Sequence, residues 1–155
     1  MKDNANNSME SIDSSLQFKK YQVNTLQFKI EDIDREGIDE FPVTPRFLRQ
    51  IYNIDKDNIE VVLGCKIDST PEEPFPFSCE VVISGFFHIK EDCDNREVLI
   101  QENAFAILFP YLRSTLSSLT LIANKEPLIL PTLNIVKLLE LLSSGESEDE
   151  LDSKS

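Results

Sequence analysis

The sequence has 155 residues, of which 41% are hydrophobic and 28% are charged. This length is typical of one domain, since single domains cluster near about 100–150 residues, and the hydrophobic share argues against a wholly disordered chain. The formal net charge is −13, from 28 acidic and 15 basic residues. Because so acidic a surface repels phosphate backbones and anionic lipid headgroups, it disfavours nucleic acids and membrane surfaces as partners and favours cationic ones.

Cysteine usage and hydropathy indicate a cytoplasmic protein. Cys65, Cys79 and Cys93 show no CxxC spacing, so neither a disulfide framework nor a metal site is predicted. The N-terminal residues lack the apolar core of a signal peptide. No apolar run approaches the roughly 18 residues that span a bilayer, so membrane insertion is not expected.

The first structured segment is predicted to be a bulged strand. Residues 1–15 are rich in Asn, Ser, Asp and Glu and are predicted to be disordered. In 16–30 the apolar residues change parity twice: Leu16 and Phe18, then Tyr21 and Val23, then Leu26, Phe28 and Ile30. Because an undisturbed strand repeats every two residues, bulges or bends are needed, with a strand packed on both faces as the alternative.

Residues 31–57 are predicted to form a long connection, since Gly37, Pro42 and Pro45 interrupt regular structure. Connections longer than about 12–15 residues are usually functional or disordered. The many large apolar side chains in this one argue against disorder, so it should pack against the domain or against a partner. A short helix over 45–52 is one element that it can contain.

Two strands of an antiparallel sheet are predicted next, over 58–68 and 77–89, because apolar and polar residues alternate there. The proline-rich segment 69–76 is predicted to connect them as a hairpin. On the first strand Ile59, Val61 and Leu63 share the apolar face.

The remainder is predicted to be helical. Since proline fits the first turn of a helix, one helix should begin near Phe109 or Pro110 and end at the cap residue Asn124. An extended stretch over 125–132 follows.

Asn134 can cap a last helix over 135–142. The acidic residues 144–155 are predicted to form a disordered, solvated tail.

Catalytic motifs are absent from the sequence, which contains no GxSxG, HExxH, P-loop or GxGxxG. The single histidine, His88, falls on the polar side of its strand, and the carboxylates are scattered. We therefore predict a binding protein without catalytic residues, metal or cofactor.

Two segments resemble motifs of the SecB export-chaperone family. The helix start matches the family's ILFPYxR pattern at Ile107, Leu108, Phe109, Pro110, Tyr111 and Arg113. The later P-x-L-x-L-x-P-x-N-F pattern is matched at Pro127, Leu128, Leu130, Pro131 and Asn134, with Ile135 in place of phenylalanine. Weaker matches at 59–63, 77–81 and 85–89 keep the family's order, so the resemblance covers about 16–142.

The resemblance implies an α+β fold over 16–143, with a four-stranded antiparallel sheet, a long N-terminal crossover connection and two C-terminal helices. It implies a homotetramer, built as a dimer of dimers. The residues assigned to its interfaces are Leu112, Leu116, Leu119 and Ala123.

The activity implied is that of an ATP-independent holdase, which binds unfolded polypeptide in apolar grooves and keeps it competent for export. The segments 31–57, 125–134 and 135–142 would form these grooves. The residues assigned to client binding are Phe41, Val43, Phe47, Leu48, Ile51, Leu128, Leu130, Leu138 and Leu142.

The resemblance also implies docking of the SecA translocase motor on the outer face of the sheet. The corresponding positions are Thr25, Lys29, Ser78 and Glu80. Only Glu80 keeps the family's acid, because Thr25 and Lys29 lack it and Ser78 replaces a leucine.

Three hypotheses remain open from the sequence. The first is a general export holdase. The second is a SecB-like chaperone dedicated to one client, such as the antitoxin of a toxin–antitoxin–chaperone system. The third is a small-molecule-binding domain or an unrecognised enzyme.

Overall fold

The computed structural model describes residues 15–34, 41, 44–126 and 128–130. The chain forms four strands and then a helical part, which is the α+β class that the resemblance implies. The strands are β1 (Leu16–Ile30), β2 (Arg46–Asn53), β3 (Asn58–Ile67) and β4 (Phe77–Ile89). The short helix α1 (Arg96–Val98) continues through a π-helical segment (Leu99–Asn103) into α2 (Ala104–Ile122).

The four strands form one antiparallel sheet in the order β1-β4-β3-β2. Helix α2 packs on the face that carries Ile59, Val61 and Leu63, here called the inner face; the opposite side is the outer face. The alternation predicted for β3 and β4 is confirmed, since their odd-numbered residues form the buried core.

Strand β1 contains the two bulges that the parity changes predict. The pairing with β4 shifts once between Phe18 and Lys20, and again between Val23 and Thr25. Each shift inserts one residue, which restores the phase of the strand. All seven apolar residues of β1 therefore lie opposite odd-numbered residues of β4, on the inner face.

Strand β2 lies inside the stretch read as a long connection, and the helix suggested over 45–52 is wrong. β2 pairs with β3 along its whole length, from Arg46 opposite Lys66 to Asn53 opposite Ile59. Its apolar residues point to both faces, so the two-residue period of a strand is not visible in the sequence. The four-stranded sheet implied by the resemblance is confirmed.

Helix α2 begins at Ala104, so a helix start near Phe109 or Pro110 is wrong. Pro110 lies inside the helix on its exposed side, although an interior proline costs about 3 kcal/mol. The core face extends N-terminal to it through Phe105 and Leu108, which are fully buried. Because burying each such side chain contributes about 1.5–3 kcal/mol, packing outweighs the proline.

The C-terminus of α2 is closed as predicted by Asn124, whose φ of 60° is left-handed. Its N–H donates to the carbonyl of Leu121, and the N–H of Lys125 donates to that of Thr120, both at 3.0 Å. This pair of bonds is the Schellman motif, which satisfies the last carbonyls of a helix. The predicted last helix 135–142 and its cap Asn134, the segment 1–14 and the tail 144–155 lie outside the described residues.

One continuous helical stretch, Arg96–Ile122, is long and apolar enough to cross a bilayer by length and composition. Core helices share this property. Leu108, Leu112 and Leu116 of this stretch are buried against the sheet. Packing within the domain therefore accounts for the apolar character of the buried side of this stretch, whereas its side chains Val98, Ile107, Leu121 and Ile122 are exposed.

Candidate functional site

Four of the residues assigned to client binding lie at the rim of the core. Phe41, Phe47, Ile51 and Leu128 are half-buried and pack against the buried cluster. The ring of Phe41 meets that of Phe75, and the ring of Phe47 meets that of Phe109, each with centroids 6.3 Å apart. Each of the four keeps part of its surface accessible.

Leu48 does not belong with this group. Neighbouring residues of a strand point to opposite faces, so Leu48 lies on the outer face whereas Phe47 and Ile51 lie on the inner one. One groove cannot include both sets, and the assignment of Leu48 to it is corrected. Val43, Leu138 and Leu142 lie outside the described residues.

The assignment of Leu130 to the groove is also corrected, because this residue is only 2% exposed and belongs to the core. Residues 128–130, here called the strap, run along α2 and are bonded to it at both ends. The N–H of Leu128 donates to Oγ1 of Thr120 at 2.9 Å, and Nε of Arg113 donates to the carbonyl of Leu130 at 3.1 Å.

Ile129, between the two leucines, is 69% exposed. It was not among the residues chosen from the sequence. The signal that could have identified it is the alternation of an extended segment, which turns the middle residue outward once its neighbours point inward.

The four residues assigned to the oligomer interfaces divide into two groups. Leu112 and Leu116 are fully buried in the core of the domain, so they cannot contact another protomer, and their assignment to an interface is corrected. Leu119 and Ala123 are half-buried and retain accessible surface. Two large apolar side chains that were not assigned to the interface, Leu121 and Ile122, lie between them and are exposed.

The inner face of β1 carries a further apolar surface. Tyr21, Val23, Leu26 and Ile30 are 42% to 53% exposed, although the ring of Tyr21 also packs on that of Tyr111 of α2, with centroids 4.5 Å apart. The changes of parity predicted bulges or a strand packed on both faces, and the two observed bulges place all four side chains on the inner face. Exposed clusters of large apolar residues mark interaction sites in soluble domains.

The residues assigned to partner docking lie together on the outer face. Across the sheet, Thr25 is opposite Val82, and Lys29 is opposite Ser78. Glu80 lies in the row between them. Leu48 shares the row of Thr25, so it is part of this outer surface.

The carboxylate of Glu80 is already paired. Lys66 places its Nζ 3.9 Å from Glu80 Oε2 and 3.8 Å from Asp68 Oδ1, and Arg46 also pairs with Asp68. Exposed pairs of this kind contribute only about 0–1 kcal/mol to stability. Their consequence is electrostatic, since the positive charges offset the acid at the centre of the outer face.

The polar groups beside Glu80 are occupied as well. Ser78 Oγ accepts a hydrogen bond from the N–H of Ser69 at 2.9 Å and donates one to Glu31 at 2.8 Å. Lys29 lies 3.8 Å from the same Glu31. The charged and polar side chains around Glu80 on the outer face are therefore paired with one another.

The groups that could support nucleophilic catalysis point to opposite sides of the sheet. His88 lies on the outer face, 3.4 Å from the side-chain oxygen of Asn58. Cys65 and Cys79 are buried on the inner face, and burial raises their pKa values to about 12 and about 11. Each thiol therefore stays protonated at neutral pH, without His88 as a base.

The described surface includes two open depressions that could be considered as ligand sites. One, of about 380 Å³, is lined by Arg49, Gln50, Ile51, Tyr52 and Gln101 beside β2. The other, of about 560 Å³, lies on the outer face around the paired charges of Lys66, Asp68 and Glu80. Among the described residues, no group of three or more His, Cys, Asp or Glu side chains could hold a metal ion.

Comparisons with known proteins identify the family of this chain. Residues 43–141 match the model of SecB, the preprotein translocase subunit. The chain is 27% identical over 142 residues to the uncharacterized protein MJ0357 of Methanocaldococcus jannaschii, covering 87% of this chain and 89% of that protein. It is 32% identical over 95 residues to the protein-export protein SecB of Anaplasma phagocytophilum, covering 59% of this chain and 60% of that protein.

The fold is similar to that of the Mycobacterium tuberculosis SecB-like chaperone Rv1957, whose structure contains a ChAD peptide from the antitoxin HigA1 (Rv1956). The TM-score is 0.64 at 15% identity, covering 79% of this chain and 94% of that one. The family model spans more than half of the 155 residues, so the chain belongs to the SecB family.

Proposed function

We propose that the protein is an ATP-independent holdase chaperone that binds unfolded polypeptides and keeps them competent for export. The observation that carries this proposal is the accessible apolar surface at the rim of the core, in a chain of the SecB family. An unfolded client exposes apolar side chains of its own. Their burial contributes about 25 cal/mol per Å², offset by the entropy of ordering the client.

The proposed groove is lined by the rim residues Phe41, Phe47, Ile51 and Leu128. Aromatic and aliphatic side chains bind apolar segments without reading their sequence, which suits a chaperone with many clients. Val43, Leu138 and Leu142 complete the proposed groove. Holding a client in this way requires no catalytic step.

The working form is proposed to be a cytoplasmic homotetramer, built as a dimer of dimers with Leu119 of α2 and Ala123 at its contacts. Leu121, Ile122 and the inner face of β1 provide further apolar surface that is accessible in the protomer. Several weak client sites on one assembly increase the overall affinity by raising the effective concentration of the second site.

A dedicated chaperone for one client, such as an antitoxin, is the second candidate. Two observations favour it over docking of the SecA motor. The structural neighbour Rv1957 is described in complex with an antitoxin peptide. On the outer face, Glu80 is offset by Lys66, and Lys29 stands where an acid is expected, so a basic partner meets less negative charge.

Small-molecule binding has less support. Ligand pockets are usually concave sites that enclose most of the ligand surface. The two depressions are open to solvent, and the charges in the larger one are paired with each other.

The test is the mass of the protein by light scattering, alone and with a reduced, unfolded client. We expect a tetramer that captures the client and delays its aggregation without ATP. A particle that neither binds the client nor slows aggregation would reject the holdase function. Titration with SecA and with an antitoxin peptide then separates the two chaperone candidates.

A further inference from the structure

The strap is bonded to α2 at two points, and the distance between these points along the helix matches the length of the strap. Thr120 and Arg113 are seven positions apart, which is about 10 Å along a helix. The strap segment from the N–H of Leu128 to the carbonyl of Leu130 covers three extended residues, which is also about 10 Å. The strap therefore runs antiparallel to α2 in one register, with one side chain of the helix at each end.

Thr120 is completely buried, and its hydroxyl both donates and accepts a hydrogen bond. Oγ1 donates to the carbonyl of Ser117 at 2.9 Å and accepts from the N–H of Leu128 at 2.9 Å. Without this hydroxyl, the N–H of Leu128 loses its acceptor in a half-buried environment, which is unfavourable.

Arg113 fixes the other end of the strap. Its Nε donates to the carbonyl of Leu130, the residue whose side chain enters the core. The planar guanidinium directs its N–H groups in fixed directions, which the amine of a lysine does not reproduce.

The register decides which apolar side chain of the strap is accessible. With both ends held, Leu130 is buried, Leu128 is half-buried at the rim and Ile129 points to solvent. Releasing the ends would allow Ile129 to turn inward, because the backbone alone does not distinguish the two faces of an extended segment.

We propose that Thr120 and Arg113 are positioning residues for client binding, and that Ile129, not Leu130, contacts an apolar segment of the unfolded client. This inference rests on the proposed holdase function. Ile129 is the most exposed side chain of the strap, so a client segment that crosses the strap beside the proposed groove meets it.

The contact is tested with Ile129→Asp and the matched control Ile54→Asp, which alters another exposed isoleucine, beyond the end of β2. The probe is fluorescently labelled, reduced and carboxamidomethylated pancreatic trypsin inhibitor, titrated by anisotropy. We expect Kd to rise at least about fivefold for Ile129→Asp, because a carboxylate is costly to bury against an apolar client, and less than about twofold for the control.

The positioning role is tested with Thr120→Val and its conservative partner Thr120→Ser. We expect valine to accelerate hydrogen exchange at the amide of Leu128 and to raise Kd for the probe, and we expect serine to restore both. Arg113→Lys, which changes a partly exposed residue, should raise Kd at an unchanged thermal midpoint.

The outcomes distinguish this inference from the proposed function. If the wild-type protein binds the probe and Ile129→Asp binds it equally well, the contact is rejected and the holdase function stands. If exchange at Leu128 accelerates in Thr120→Val while Kd is unchanged, the positioning role is rejected. A wild-type protein that does not bind the probe overturns the holdase function and this inference together.

Discussion

The side-chain amide of Asn24 donates a hydrogen bond to the hydroxyl oxygen of Ser84, with 2.6 Å between Nδ2 and Oγ. Asn24 is the extra residue of the second bulge in β1, and Ser84 is a fully buried residue on the outer side of β4. The hydroxyl of Ser84 in turn donates to Oε1 of Glu60 at 2.7 Å. Hydrogen bonds thus connect the second bulge of β1 to the two central strands, β4 and β3.

We predict that Ser84→Ala lowers the free energy of unfolding by about 1–3 kcal/mol, because the side-chain N–H of Asn24 loses its acceptor and Glu60 loses its donor in Ser84. Urea denaturation measures the change. Ser114→Ala, at an exposed position of α2, is the control and should change it by less than about 0.5 kcal/mol. Equal stability of the two variants would contradict a structural role for the network.

Gly85→Ala should destabilise the fold. A Cβ at this position would lie 2.8 Å from Cδ1 of Leu108 and 2.9 Å from Cε2 of Phe87, and both side chains are fully enclosed in the core. Overpacking of this kind typically costs about 1–3 kcal/mol.

Gly64→Ala is the matched control for this substitution. Its Cβ would meet Leu48 Cβ at 3.3 Å, a milder overlap than at Gly85, and Leu48 lies on the edge strand β2, whose backbone can shift away from the sheet. Thermal or urea unfolding compares the two alanine variants. A loss of stability as large in Gly64→Ala as in Gly85→Ala would exclude the crowding explanation.

Cys65 and Cys79 should resist thiol reagents in the folded protein. Burial raises the pKa of Cys65 to about 12, with a contribution from Cys79, and raises that of Cys79 to about 11, with a contribution from Asp68. At pH 8 we expect Cys93, which is half-buried, to react first and the other two only after unfolding. Mass spectrometry of timed labelling distinguishes these classes.

The same pKa values predict a loss of stability in alkali. A thiol whose pKa in the folded state lies above its ordinary 9.0 favours folding fully below pH 9. That contribution declines as the pH rises from 9 toward 11 and 12. In Cys65→Ala and Cys79→Ala, the slope of unfolding free energy against pH in this range should be smaller than in the wild type, and an unchanged slope would contradict the assignment.

Leu119→Asp is expected to shift the assembly toward smaller species, because it places a charge on the accessible part of α2. Light scattering measures the mass. Val98→Asp, at an exposed residue of α1, is the control and should leave the mass unchanged. If Leu119→Asp kept the wild-type mass, this part of α2 would not be an interface.

Lys29→Glu should increase the affinity for SecA, if the motor docks on the outer face. The change restores an acid opposite Ser78 and removes the cation near Glu31. Calorimetric titration at low and high salt measures the effect, which should weaken as salt screens exposed charges. An affinity equal to that of the wild-type protein would argue against docking at this position.

The parts of the fold that could be predicted from sequence are those in which one face is apolar. Strands β3 and β4 alternate cleanly, and the parity changes of β1 indicated its bulges. β2 was missed because Phe47 and Leu48, or Ile51 and Tyr52, are apolar neighbours that point to opposite faces. Their spacing of four residues is also that of a helix, so the pattern alone could not decide between the two.

Individual site residues were harder to predict than the elements that carry them. The resemblance selected α2 and the strap, but only the packing separates Leu112 and Leu116, which are enclosed, from Leu119. In the strap, the bonds from Thr120 and Arg113 determine that Leu130 is enclosed and Ile129 is not. Alternation separates Ile129 from its two neighbours, but tertiary contacts decide which of the two sets points into the core.

The alternation along β2 offers a practical route to separation-of-function alleles. Phe47 and Leu48 are adjacent in the chain, yet one side chain packs beside Phe109 and the other lies over Gly64. A polar replacement at one of them perturbs one surface of the sheet and leaves the other chemically intact. A genetic screen across these two codons could therefore assign a cellular phenotype to one surface or the other.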